Sequence, residues 1–256
     1  MSDPAAGAKI DYDQIARRYD SFRGGRGPYQ EFLVELADAH RARRILEIGA
    51  GTGNNMFAFH AAYPSAAFFA CDLSRGMILR AQEKQAPGAW LRADAQHLPF
   101  AAQSFDLCFG CYMLHYIDDL NALAGECARV LQGGCAAFIT ASHEFIERHP
   151  MNRYFPSFAA IDKARFPDIE RVTQALARAG FLEPAVERLA VPQIPIDADY
   201  LTRVENRFIS TFDLLPEEEF NAGLARLRAD IQAQGGSLDI ENVWESVVVW
   251  ARKAAG

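Results

Sequence analysis

Several features are scarce in this sequence, and each scarcity narrows what the chain can do. No apolar run in its 256 residues approaches the roughly 20 needed to cross a bilayer as a helix. Residues 1–9 are small and polar, without the apolar core of a secretory signal. No membrane partner is therefore expected, and a soluble, cytoplasmic protein is. Positive charge is in deficit, with 26 Lys and Arg against 33 Asp and Glu, a net charge of -7. An acidic surface repels phosphate backbones, so no nucleic-acid partner is expected. Cysteine is sparse and odd in number: Cys71, Cys108, Cys111, Cys127 and Cys135 sit in apolar runs and read as reduced, buried side chains. Cys108 and Cys111 have CxxC spacing, but in a strand-like segment with neither a helix N-terminus nor a second ligand pair. His143 and His149 stand six apart, two residues late for the HExxH arrangement, so zinc is rejected and no metal is expected. There is no internal repeat and no low-complexity tract.

What the sequence does hold is a regular alternation. Residues 44–48 read as a short buried strand, 54–63 as a helix stopped by Pro64, and 67–72 as a second strand. Ser74 reads as the N-cap of a helix to about residue 85, closed by Pro87 and Gly88. Strands follow at 90–94 and 105–110. A helix capped by Asp118 or Asp119 then runs to residue 131, and a strand at 135–140 comes after Gly133 and Gly134. A helix at 168–179, a strand at 185–191 and a last strand at 243–250 complete the set. This is the rhythm of βαβ units. It predicts an α/β fold: a Rossmann-like, seven-stranded, mostly parallel sheet with helices on both faces.

Three stretches lie outside the rhythm. Residues 10–40 read as helix, break, helix, interrupted by the glycine-rich run 23–28, and are expected to form an N-terminal helical lid over 1–40. Residues 141–167 carry aromatics and histidines without a period. Residues 197–234 read as amphipathic helix adding no strand, so 197–235 is expected as a helical cap inserted into a core made of 41–196 and 236–256.

The most informative segment is Gly49-x-Gly51-x-Gly53, which follows a strand and opens a helix. Glycine there lets the backbone take positive φ and lets a ligand approach closely. In open α/β sheets, ligands sit at the carboxyl ends of strands where the strand order switches. Asp72, 19 residues past Gly53, ends the next strand and suits two ribose hydroxyls. A glycine loop alone also fits NAD or FAD. Three details favour a sulfonium ligand, S-adenosylmethionine (SAM). The spacing is GxGxG rather than GxGxxG. Glu47 adds negative charge beside the loop. Asp94 and Ala95 follow the third strand, where an adenine amino group could donate.

With these residues in place, a resemblance emerges. ILEIGAGTGNN (45–55) resembles motif I of class I SAM-dependent methyltransferases. ACDLS (70–74), RADAQHLPF (92–100) and SFDLCFGCYMLHYIDD (104–119) resemble the next three motifs in order, and YDQIARRYD (12–20) resembles the N-terminal helix that closes over SAM. The set is similar to the type 11 group, which includes ubiquinone/menaquinone methyltransferases, and covers about residues 40–140 well. The resemblance implies that Glu47, Gly49, Ala50 and Gly51 line the methionine part, and that Asp72 holds the ribose. Leu73 and Met77 would flank the adenine, and Asp94 and Ala95 would contact its edge. Cys111 and Tyr112 would face the sulfonium, and Tyr19 or Arg23 would reach the carboxylate. The Asn/Asp-Pro-Pro-Tyr signature of DNA amino-methylases is absent.

Methyl transfer needs a base only if the acceptor starts protonated, because the enzyme mainly positions a nucleophile and excludes water. His115, just past the fourth strand, and His143, just past the fifth, are the catalytic candidates. Each competes with a structural or solvent-facing role. Tyr116, His143, Tyr154, Arg203 and Arg207 are candidate substrate contacts. Core packing competes for Tyr154, and a solvated helix face competes for the two arginines. The expected activity is methylation of O, N or C of a small-molecule acceptor. A nucleotide-dependent oxidoreductase and a non-catalytic SAM-binding protein are the alternatives, and a homodimer is the assembly left open.

Overall fold

The computed structural model describes residues 10–20, 28–191 and 193–254. Helices α1 (Tyr12–Tyr19) and α2 (Pro28–Ala39) precede β1 (Arg44–Ile48), α3 (Asn54–Ala62), β2 (Ala67–Asp72), α4 (Arg75–Glu83) and β3 (Ala89–Arg92). The second half continues with β4 (Phe105–Cys111), α5 (Leu120–Val130) and β5 (Leu131–Thr140). Then come α6 (His143–Arg148), α7 (Phe158–Arg165), α8 (Ile169–Arg178), β6 (Phe181–Val191), β7 (Ile196–Asp197), α9 (Ala198–Glu205), α10 (Glu217–Ala233), β8 (Ser237–Leu238) and β9 (Trp244–Lys253).

Seven strands form one sheet in the order β3-β2-β1-β4-β5-β9-β6. β9 runs antiparallel between β5 and β6, while β1 to β5 pair in parallel. The order reverses between β1 and β4, which places a crevice at their carboxyl ends. Central strands are largely apolar because helices cover both faces, Glu47 on β1 being the buried exception. One apolar cluster packs Phe105, Leu123, Cys127 and Leu176 on one face, and another packs Leu33, Phe59, Phe68 and Phe109 on the other. The expected fold class is the observed one.

Local departures have local causes. Asp119 is the cap of α5, its Oδ1 accepting from the Asn121 and Ala122 amides at 2.8 and 3.2 Å. α5 passes directly into β5, so that strand begins at Leu131 rather than at residue 135. Gly134 is inside it because a Cβ there would lie 1.8 Å from the Asp106 carbonyl oxygen. The aperiodic stretch 141–167 contains α6 and α7, of six and eight residues, too short to display a repeat.

The stretch 197–234 is two helices rather than one. The chain breaks at Arg207, which adopts φ 51, and restarts after Pro216. A two-strand clasp, β7 with β8, ties its ends together. The cap's apolar cluster runs from Met151 to Leu238, with Phe155, Phe158, Phe212 and Phe220 at its centre. It therefore draws on both irregular stretches.

Candidate active site

The loop after β1 is shaped by its glycines. Gly49, Gly51 and Gly53 take φ 67, 56 and 83, where L side chains are strained. A Cβ on Gly49 would sit 2.8 Å from the Met113 Cβ, so this glycine allows a close backbone crossing. Gly51 is different: its nearest neighbour would be the Tyr19 ring at 3.9 Å, so its open side faces a ligand-sized space.

Carboxylates ring this loop. Asp72 accepts from the Gly51 amide through Oδ2 and from the Ser74 amide through Oδ1, both at 2.8 Å. Burial raises its carboxyl above the usual range, opposed by these two bonds. Glu47 is fully buried (0% exposed) on β1. Its Oε1 accepts from Asn55 Nδ2 at 2.8 Å, while Oε2 has no hydrogen-bond partner among the described residues. Burial pushes its carboxyl up to about 8, against the Asn55 bond and helped by Asp72. Asn55 is held in turn by Gln30 Nε2 at 3.1 Å and Tyr29 Oη at 3.3 Å, both on α2.

Helix α1 and the residue after it close over this arrangement at two points. Asp13 accepts from Ser74 Oγ at 2.5 Å and from the Gly76 amide at 2.6 Å at the start of α4. Asp20 accepts from Thr52 Oγ1 at 2.5 Å and Asn54 Nδ2 at 3.1 Å, and pairs with Lys84 Nζ at 3.0 Å. Burial works against the Asp20 charge, but these donors outweigh it and hold the carboxyl below its ordinary value.

A cavity of about 420 Å³ starts at Gly49 and Gly51, passes Cys111, Tyr112 and His115, and ends under the cap among Phe158, Arg203 and Phe208. Tyr112, at the end of β4, has φ 51, an uncommon conformation for a non-glycine residue. Its hydroxyl is pinned by Ser246 Oγ at 2.6 Å and accepts from Trp244 Nε1 at 3.2 Å. Burial raises the Cys111 thiol well above its usual value, so this cysteine is a neutral wall rather than a thiolate.

The structure gathers some of the expected site residues and separates others. Tyr19, Gly49, Ala50, Gly51, Cys111, Tyr112, His115 and Arg203 line the cavity. Asp72 and Glu47 lie directly behind the loop through the bonds above. Leu73 (64% exposed), Asp94 and Ala95 follow the ends of β2 and β3, Met77 is buried in the first turn of α4, and none of the four lines the cavity. Arg23 lies outside the described residues.

Four expected contacts are corrected. His143 does not line the cavity; its Nε2 donates to the Phe166 carbonyl at 2.8 Å and ties α6 to the entry of α8. Tyr154 is core, its hydroxyl donating to Asp230 Oδ2 at 2.9 Å. Arg207 turns to the Phe212 carbonyl and to Glu217 Oε2 at 2.7 Å, because the break after α9 points it along the cap. Tyr116 stands behind the wall: its hydroxyl donates to Tyr12 Oη at 2.9 Å and accepts from Arg165 at 3.0 Å.

Sequence reasoning assigned no ligand role to Asn55, His149, Asp162, Phe166, Trp244 or Ser246, which all line the cavity. Asn55 adjoins the glycine motif, so its place was findable. The others come from distant segments and had no local signal. Among the described residues, no group of three or more His, Cys, Asp or Glu could hold a metal, and no helix is long and apolar enough to cross a membrane.

Residues 45–134 match the sequence profile of a family described as Methyltransferase domain. The chain is 31% identical over 203 residues to the malonyl-[acyl-carrier protein] O-methyltransferase of Laribacter hongkongensis, covering 72% of this chain and 67% of that one. It is 32% identical over 135 residues to the ubiquinone/menaquinone biosynthesis C-methyltransferase of Desulfotalea psychrophila, covering 50% of this chain and 55% of that one. An Anabaena variabilis protein described as a methyltransferase from an antibiotic biosynthesis pathway shares the fold. Its TM-score is 0.66 at 21% identity, with 87% of this chain and 96% of that one covered.

Proposed function

Because the chain belongs to the SAM-dependent methyltransferase family, we propose that it transfers the SAM methyl group to O, N or C of a small-molecule acceptor enclosed beneath the cap. The observation that carries this reading is the continuity of the cavity: one space joins the glycine loop to the underside of the cap, passing Cys111 and Tyr112.

The residues present fit SAM. Gly51 leaves a cradle that a side chain would fill, and Glu47 Oε2 is a buried acceptor without a partner among the described residues. Gly49, Ala50, Gly51 and Tyr19 would hold the methionine part, with Glu47 behind them facing its positive charge. Asp72 would hold the ribose, and Leu73, Met77, Asp94 and Ala95 the adenine end. The cofactor supplies an activated methyl group on a sulfonium. The chain supplies position and dryness: aromatic walls exclude water and confine the acceptor. In this reading residues 1–40 act as a lid, 41–196 with 236–256 as the cofactor-binding core, and 197–235 as the cap.

His115 is the residue of this wall best suited to accept a proton from an acceptor. Its ring is held against Phe166, with ring centroids 4.4 Å apart, and beside Tyr116 at 4.2 Å. A cytoplasmic location and action without nucleic acid or membrane belong to the same proposal. So does a homodimer, checked by light scattering.

Calorimetry with SAM, S-adenosylhomocysteine and NAD tests the reading. Both adenosyl compounds should bind, NAD should not, and Asp72→Ala should weaken binding by about tenfold or more, as expected for a charged hydrogen bond. Failure of both adenosyl compounds to bind would reject it. Once an acceptor is in hand, an unchanged methylation rate in His115→Ala would remove that histidine as base.

A further inference from the structure

The acceptor end of the cavity holds two polar groups that the fold leaves unused. The arginines around it are matched to acids. Arg165 pairs with Asp162 at 3.3 Å, and Arg148 and Arg188 pair with Glu245 at 2.7 and 2.9 Å. Arg203, on α9, lines the cavity, but its side chain has no ion pair or hydrogen bond among the described residues, and its Nε is buried. Its guanidinium is nevertheless fixed, lying 4.3 Å from the Phe208 ring centroid. That ring contact orients a cation without neutralising it.

The second group is His149, only 4% exposed and also part of the cavity wall. Its ring stacks on Phe158 at 5.2 Å and meets Phe145 and Trp244 edge-on at 5.5 and 6.1 Å. The Met151 amide donates to Nδ1 at 3.3 Å, so the neutral ring carries its proton on Nε2. Burial pushes its pKa down to about 4, which keeps the ring neutral. Nε2 has no partner among the described residues. A buried N–H left this way is costly, and a ligand oxygen would satisfy it.

The two groups occupy different places. His149 packs on Trp244, whose indole donates to the Tyr112 hydroxyl at the end of β4, beside the reacting region. Arg203 lies over Phe208 on the cap side. Phe145, Phe158, Phe166, Phe208 and Trp244 line the same cavity.

Building on the methyltransferase reading, we propose that the acceptor is a carboxylic acid with an apolar body, its carboxylate held by Arg203 and a second oxygen held by His149 Nε2–H. One planar guanidinium matches one carboxylate. A phosphate dianion is disfavoured, because Asp162 also lines this cavity and no second unpaired cation is found there among the described residues.

The test uses the full chain saturated with S-adenosylhomocysteine and three probes titrated by calorimetry. These are 3-(4-hydroxyphenyl)propionate, its amide (no charge) and 3-phenylpropionate (no second oxygen). In the wild-type protein the amide should bind about tenfold more weakly than the hydroxy acid, and the deoxy acid about threefold more weakly. Arg203→Met should erase the first difference and leave the second, with Arg203→Lys retaining most of the first. His149→Phe should erase the second and leave the first, with His149→Gln restoring part of it. Binding of S-adenosylhomocysteine by every variant certifies the fold and the donor site. With that binding intact, the proposal is overturned if the hydroxy acid does not bind, if acid and amide bind alike, or if the differences survive the substitutions. Failure of the wild-type protein to bind S-adenosylhomocysteine would instead overturn the methyltransferase reading, and this inference with it.

Discussion

The donor and acceptor halves of the cavity are built in opposite ways. The donor half is built mainly from one stretch, Glu47 to Asp72, closed over by Asp13 and Asp20, in which positive-φ glycines and buried carboxylates are fixed by hydrogen bonds. The acceptor half is assembled from segments between Tyr112 and Ser246, held by stacked rings rather than by backbone geometry. The first is polar and specified residue by residue; the second is apolar and specified by packing. Such a division lets one donor site serve varied acceptors, since the packed half can change without disturbing the loop.

That contrast can be broken from either side. The largest effect should come from Phe212→Ala. Phe212 is fully buried and meets Phe155, Phe158, Phe208 and Phe220. Its truncation should cost about 3–5 kcal/mol of stability, read by denaturant unfolding. S-adenosylhomocysteine affinity measured below the transition should change little. An equal collapse of that affinity would show that the halves are not separable.

Next in size is Gly51→Leu. At φ 56 the new side chain is strained by about 1–2 kcal/mol and enters the cradle beside Tyr19. Calorimetry should find adenosyl binding weakened by about a hundredfold, equivalent to about 2.7 kcal/mol, while the cap stays folded. Retained affinity would place the ligand elsewhere.

A comparison across pH sharpens the electrostatic side. Burial raises the Glu47 carboxyl from 4.5 to about 8 in the folded chain. Across that window the folded protein holds a proton that the unfolded chain has released, so this contribution to stability is full below about 4.5 and lost as pH rises toward 8. Glu47→Gln keeps an oxygen for Asn55 but cannot ionise. Its Tm should therefore fall less than that of wild type between pH 5 and pH 8. Parallel pH profiles would contradict the assignment.

How much of this was legible in the sequence follows from the same contrast. Gly49-x-Gly51-x-Gly53, Glu47 and Asp72 are local patterns, and the loop falls where spacing placed it, at the switch between β1 and β4, while β5 and β6 begin four residues earlier than their patterns suggest. Arg203 was found as a cation on a helix face, but helical spacing could not separate it from Arg207, which the break at φ 51 turns away. Tyr154 looked like a lid residue and is core, because its hydroxyl finds Asp230 76 residues further on. His149 drew notice only as a failed zinc ligand. Its surroundings, Phe145, Phe158 and Trp244, come together only in the folded chain.

A crystal structure with S-adenosylhomocysteine tests the central claim most directly. The ribose hydroxyls should lie within hydrogen-bond distance of the Asp72 carboxylate, with the sulfur facing the cavity beside Cys111 and Tyr112. An adenosyl group bound away from Gly51, or a sulfur turned toward solvent with the cap cavity behind it, would contradict the account.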